Sequence, residues 1–400
     1  MGRISLVFVL ATAALSAGGN AKAAVWQDEH SWSEEWERKY SEWIRTSFNE
    51  GIFVSGPYKG LETDCSDAVY FSRVIFAYEN KLPYVIRDST GGDSRVSNKM
   101  SRFDSISDPL KRARRFIAYI GDVTSTKTMP SDTYPVAVLR KNVHPGTVWS
   151  RPSGRENNII RRIIHGSSSI PGHAEIVKKL SDTGVLTMIS STVPKAAREL
   201  HTTSSLVFMP VGTDTGLRNW MQPDYYGRPK SELPGYSMEQ FTSLGGSGDN
   251  RSMRRWNQDV QKRLALREET PSESIERQVD DICGLTNDRV DIVLESEARR
   301  SRLSGACMGR EDYESYSTPS RDKRIKDTIT QLMETVGAHN VGDLQRYLAR
   351  CPDIRIASGR TLSLYDFAVR LMAGHVSSNP NHSFEARWGL ASSFKFCKKY

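Results

Sequence analysis

Hydrophobic and polar positions fall into two textures along the chain. Between residues 61 and 211, a run at helical spacing gives way to short alternating runs; from about Asn250 onward helical spacing dominates. The stretch 61-LETDCSDAVYFSRVIFAYENKLP-83 carries Ala68, Val69, Ser72, Val74, Ile75 and Phe76 at roughly helical spacing. It predicts a helix from about Ser66 to Glu79 that stops before Pro83, with Asp64 and Ser66 as candidate caps. Upstream, Trp32, Trp36, Tyr40, Trp43 and Ile44 share one face of an amphipathic helix within residues 26–50, with Glu34, Glu35, Glu37, Arg38 and Lys39 largely on the others. Its aromatic stripe is expected to pack on the main domain; exposed rings would instead offer a sugar-binding surface. Residues 109–123 predict a further helix, in which Lys111, Arg112, Arg114 and Arg115 read as a solvated face.

The alternating part begins with Tyr134–Leu139 and with 143-VHPGTVWS-150, a turn feeding a short β run. The segments 173-HAEIVKKL-180 and 185-VLTMISSTV-193, joined by 181-SDTG-184, predict a hairpin, and 205-SLVFMPV-211 predicts another strand. A helix beside an antiparallel sheet is an α+β pattern. Residues 212–250, rich in Gly, Pro, Asn and Tyr, read as a long irregular lid, rim or arm. Beyond them, residues 252–269, 272–285, 286–303, 321–337, 340–351 and 363–374 have helical spacing. The expected organisation is an N-terminal helix in 24–50, an α+β domain in 51–250 and a mainly helical, supporting domain in 251–400.

Residues 1–23 read as a signal peptide. Arg3 is followed by the apolar stretch 4-ISLVFVLATAALSA-17, and 21-AKA-23 is a small-x-small cleavage site, so the mature chain is expected to begin at Ala24 in the periplasm or outside the cell. No later run is long enough to span a membrane. The net charge of +8 is spread without a dense basic block, which suits an anionic envelope component and supplies no recognition element for nucleic acid. The oligomeric state is not legible.

Export changes the meaning of the five cysteines. Cys283, Cys307, Cys351 and Cys397 cluster in the last third and can form two disulfides; local pairing, Cys283 with Cys307 and Cys351 with Cys397, is the simplest arrangement. Their wide spacing without interleaved histidines does not suit a metal, and no cofactor is implied. Cys65 is left over. At the start of a helix it meets exposed N–H groups and the positive end of the dipole, both of which favour thiolate.

A cysteine nucleophile needs a base and a group to orient that base. Among eight histidines, His173 stands first, opening a strand after Pro171 and Gly172. His144, before a β run, is the alternative base, and His165 is a weaker one. The orienting residue is open. Thr187, Ser190 and Ser191 lie on the next strand, and His201 and Asp214 on later segments.

The order 64-DCSDAV-69, 144-HPGTVWS-150, 172-GHAEIV-177 resembles the papain-like NlpC/P60 family over about residues 50–210. The resemblance implies a nucleophile helix packed on an antiparallel sheet, Cys65 as nucleophile and His173 as base. It places the third residue near Thr187 or Ser190. Asp67 stands where that family usually has Gly, and Thr147 where it usually has Asp. The resemblance implies hydrolysis of amide bonds, most simply in cell-wall peptides, with the Cys65 N–H helping to hold the oxyanion. Two other expectations follow from the same residues: a catalytically silent papain-like domain that binds an envelope component, and a thiol-dependent acyltransferase or thioesterase.

Overall fold

The computed structural model describes residues 24–87, 95–155, 169–170, 172–204, 206, 209–210, 212–245, 252–357, 360–392 and 397. The expected signal peptide and His165 lie outside them.

The central helix, α2 (Cys65–Glu79), follows α1 (Glu34–Thr46) in the chain. It starts one residue earlier than expected, with Asp64 as N-cap in a capping box completed by Asp67. Cys65–Ala77 are all buried, as an almost uninterrupted apolar helix requires. Helix α1 lays its aromatic stripe on this element: Trp36, Tyr40 and Trp43 all touch Phe76, as does Trp32 just ahead of the helix. Arg73 of α2 forks onto Glu37 with bonds of 2.8 and 2.6 Å and stacks 3.4 Å from the Trp32 ring. The stripe therefore packs on the core, with Tyr40 and Ile44 buried and Trp32, Trp36 and Trp43 half-buried. Helix α3 (Pro109–Val123) adds Phe116, Ile117 and Ile120 to the same core. Part of its basic run is structural, because Arg112 and Arg114 hydrogen-bond the carbonyls of Ile106, Pro57 and Lys59.

These helices cover one face of a six-stranded sheet of β1 (Thr133–Pro135), β2 (Val148–Arg151), β3 (His173–Leu180), β4 (Leu186–Ser190), β5 (His201–Thr203) and β6 (Gly216–Trp220). The spatial order is β1-β6-β2-β3-β4-β5, with each neighbour antiparallel. Ala174 and Ile176 of β3 face the α2 core, whereas Val177 joins a second core on the opposite face. There α4 (Met253–Leu264) inserts Trp256, whose ring lies 4.9 Å from that of Trp149. The change in sequence texture near Asn250 thus precedes the change of core, since α4 still packs on the sheet.

A third core joins α5 (Pro271–Arg302), α6 (Pro319–Val336) and α7 (Leu364–Met372). Helix α5 merges the two helices expected at 272–285 and 286–303. Its Gly284 does not break it and faces β5, where an added Cβ would make an ordinary 3.4 Å contact with the Thr202 carbonyl. The disulfides join Cys283 to Cys351 and Cys307 to Cys397, correcting the expected local pairing. Cys283 on α5 meets Cys351 because both border the third core, which sequence proximity could not reveal. Three further expectations change. Of the strand expected at 205–211, residues 206, 209 and 210 lie outside any strand and the others are not described; β5 forms four residues upstream. Strand β6 lies within the segment read as irregular. The helix expected at 340–351 shrinks to short turns, and a hairpin pairs Ile354–Ala357 with Arg360–Leu362. No helix of the described residues is long and apolar enough to cross a membrane.

Candidate active site

A cavity of about 800 Å³ opens where the start of α2 meets the start of β3. Cys65, His173 and Glu175 line one side of it; Ser190, His201 and the helices α4, α5 and α6 line the rest. The helical C-terminal part therefore builds half of the cavity, beyond the supporting role expected of it.

The register of β3 explains how Cys65 reaches this point. Ile176 pairs with Ile189 of β4, but two residues further along Ser191 turns to hydrogen-bond Thr63, the residue leading into α2. The Ala174 backbone, left past the end of β4, comes close enough to the Cys65 thiol to act on its ionisation. The thiol thus lies against the residue that follows His173.

His173 and Glu175 are two apart on β3, so both project from the face opposite Ala174. The Nε2 of His173 lies 2.9 Å from Oε1 of Glu175, an ion-pair contact rather than an aligned hydrogen bond. Glu175 is fully buried. Burial alone would raise its pKa, but His173 and then Arg324 of α6 outweigh that and hold the carboxyl below its ordinary range. Gly172 sets the approach of His173. A Cβ there would sit 2.1 Å from Thr126 Oγ1 and 2.9 Å from the Ser153 nitrogen, so only glycine fits.

The helix start does not make a thiolate at rest, contrary to expectation. Burial, followed by the charge of Asp64, pushes the Cys65 thiol up to about 12, and Asp67 acts in the same direction. The capping carboxylates that begin the helix cancel the benefit of its dipole. Their hydrogen bonds leave one donor available. The N–H groups of Ser66 and Asp67 are taken by Asp64, and that of Ala68 by the Asp64 carbonyl. The Cys65 N–H has no acceptor among the described residues.

Glu175 is the residue that sequence reasoning missed as an orienting group. Its signal was an acid between Ala174 and Ile176 in a strand, at the period that puts it beside His173. Of the residues expected in that role, Ser190 and His201 reach the cavity, where they are paired across β4 and β5. Ser191 lines the cavity too, but its hydroxyl is engaged by Thr63. His201 Nε2 lies 3.6 Å from Asp288 of α5, whose other oxygen takes a 2.9 Å bond from Arg321. Thr187 pairs with Lys179 toward the far end of the hairpin and does not line the cavity. Asp214 borders a different cavity, with Arg87 and Lys230. His144 precedes Val148, which pairs with Ile176, whereas Arg151 at the other end of β2 pairs with His173. The antiparallel register therefore holds His144 at the wrong end of β2, where its Nδ1 meets the Pro145 carbonyl.

No protein-family model, curated protein or solved structure matches the chain. The chemistry is read from these side chains alone. A thiol and an imidazole lining one cavity, a buried carboxylate behind the imidazole and an unused N–H at the helix start suit acyl transfer through sulfur. Among the described residues no group of three His, Cys, Asp or Glu could hold a metal ion.

Proposed function

We propose that the protein is an exported cysteine hydrolase that cleaves amide bonds, with peptides of the cell wall as its substrate class. One observation carries this reading: Cys65 and His173 line one cavity, and His173 is backed at 2.9 Å by the buried Glu175. The two disulfides are compatible with an oxidising compartment outside the cytoplasm.

In the proposed reaction the thiol stays protonated until substrate arrives. The sulfur attacks the amide carbon as Nδ1 of His173 accepts its proton. The carbonyl oxygen, now negative, accepts a hydrogen bond from the Cys65 N–H. Glu175 stabilises the imidazolium, which then protonates the departing amine as the C–N bond breaks. Water, deprotonated by His173, attacks the thioester and frees the acid and the thiol. An acceptor amine in place of water would make the same site an acyltransferase.

The depth of Cys65 and its raised pKa favour a second reading, an envelope-binding domain without turnover. Incubating the mature chain with purified peptidoglycan and counting newly freed amines by mass spectrometry separates the two. The hydrolase reading expects release that disappears in Cys65→Ala and His173→Ala. Sedimentation with peptidoglycan but no release from any wall preparation would leave the binding reading in its place.

A further inference from the structure

We infer that a second cavity, one residue away along β2 from the first, binds a phosphate monoester or free phosphate. Its volume is about 510 Å³, and Arg87, Lys127, Arg228 and Lys230 line it with Asp214 as the sole carboxylate of the lining. Pro152 borders this cavity while Arg151 borders that of Cys65. The inference does not depend on the chemistry at Cys65.

The arrangement of cations carries the argument. Arg218, 1% exposed, donates to Thr133 Oγ1 at 2.7 Å, to the Thr133 carbonyl at 3.0 Å and to the Thr213 carbonyl. The Lys230 ammonium donates to that same Thr133 carbonyl at 2.9 Å and to the Pro130 carbonyl. Two full positive charges thus converge on one backbone oxygen. Among the described residues neither has a carboxylate within ion-pair distance. Burial and the Arg218 charge push the Lys230 ammonium down to about 8. Arg87 stands beside them, and the exposed Lys127 and Arg228 extend the positive field to the rim. Asp214 and the buried Asp132 act on these charges only from beyond ion-pair distance, two carboxylates against the four cations of the lining and Arg218, and a bound anion would balance the excess.

The donor set selects the anion. Lysine acts as a point charge and arginine as a planar fork, the pair that recognises phosphate oxygens. A phosphate monoester carries nearly two charges at neutral pH, against one for a carboxylate. Free phosphate and a phosphorylated sugar share this chemistry.

Calorimetric titration of the whole mature chain at low ionic strength, with inorganic phosphate and separately with glucose 6-phosphate, tests the site. Saturable binding is expected, weakened at least tenfold in the Arg87→Gln, Lys230→Gln double variant. Asp214→Asn should tighten it, a gain that misfolding cannot produce. Glucose 6-phosphate binding tenfold more tightly than inorganic phosphate would assign the site to a phosphorylated sugar, and equal affinities would assign it to the free ion. Absence of saturable binding to either probe, or identical affinities in wild type and both variants, overturns the inference.

Discussion

His173 and His201 face the same cavity, and each presents Nε2 to a carboxylate, fully buried in Glu175 and half-buried in Asp288. The difference lies in what else holds that carboxylate. Glu175 has His173 2.9 Å away as its close partner, with Arg324 acting on it through its charge. Asp288 is already bonded to Arg321 at 2.9 Å, and His201 stands 3.6 Å off, with Asp291 a further 4.0 Å contact. Burial opposes ionisation in both carboxyls, and both are nevertheless held low: Glu175 first by His173, Asp288 first by Arg321. A carboxylate engaged by arginine has less to offer an imidazole that must gain and lose a proton. Two histidines similar in sequence texture thus differ in setting: His173 has Glu175 as its own close partner, whereas His201 shares Asp288 with Arg321.

The largest effect should come from breaking the first pair and sparing the second. His173→Ala and Glu175→Gln are expected to lower kcat/KM for amide release on the order of a thousandfold, as loss of a general base or its orienting group does. Asp288→Asn should cost less than about tenfold, since it touches no reacting atom. Equal losses from Glu175→Gln and Asp288→Asn would remove the distinction between the pairs. Glu175→Gln also leaves Arg324 with less opposing charge, so folding should be checked by circular dichroism before rates are compared.

The two walls of the cavity offer a second contrast. The sheet side is held by the buried helix α2, whereas α5 is tied to Cys351 by a disulfide whose loop encloses α6. Replacing Cys283 and Cys351 together by Ala opens a loop with a sequence separation of 68. The expected loss is about 4 kcal/mol from chain entropy. Urea unfolding followed by hydrogen exchange should locate that loss in α5 and α6 and leave α2 protected. Uniform loss of protection across α2 and α6 would show the walls to be one cooperative unit.

Much of the site was legible where local signals sufficed. Asp64 before an apolar run marked the start of α2, and the alternation at 173–180 marked β3. Cys65 stood out as the cysteine left over, and the disulfide pairing in the structure does leave it free. Glu175 was overlooked because an orienting group was sought on the neighbouring strand, although the two-residue period of β3 already placed it beside His173. The contribution of α5 and α6 was not legible at all. It depends on α5 packing against β5, where Gly284 faces Thr202 about eighty residues away in sequence, and no local pattern encodes such a meeting. The disulfide pairing failed for the same reason.

Alkylation of the resting thiol sharpens the contrast between a poised base and an unactivated nucleophile. With the Cys65 thiol raised to about 12, labelling by a small haloacetamide at neutral pH should run on the order of a hundredfold slower than for an exposed cysteine. The rate should keep climbing through alkaline pH. A plateau below pH 8 would reveal a resting thiolate–imidazolium pair and reverse the order of steps proposed for His173.

Asp67 supplies the third case of a buried carboxyl, and the weakest partner. Lys195 reaches it at 3.1 Å but remains 35% exposed, so solvent screens the attraction. Burial, then the charge of Asp64, raises Asp67 to about 7. A carboxyl raised in the folded state favours folding while protonated, and that contribution fades as pH climbs from about 4, the unfolded value, toward 7. Asp67→Asn does not titrate, yet its side-chain oxygen can still accept the Asp64 N–H of the capping box. The variant should therefore match wild type near pH 4 and gain on it by about 1–2 kcal/mol at pH 8, a cautious fraction of the full linkage. Urea midpoints at the two pH values read the difference directly. A gap that stays constant with pH would mean that Lys195 holds Asp67 ionised throughout, as His173 and Arg324 hold Glu175.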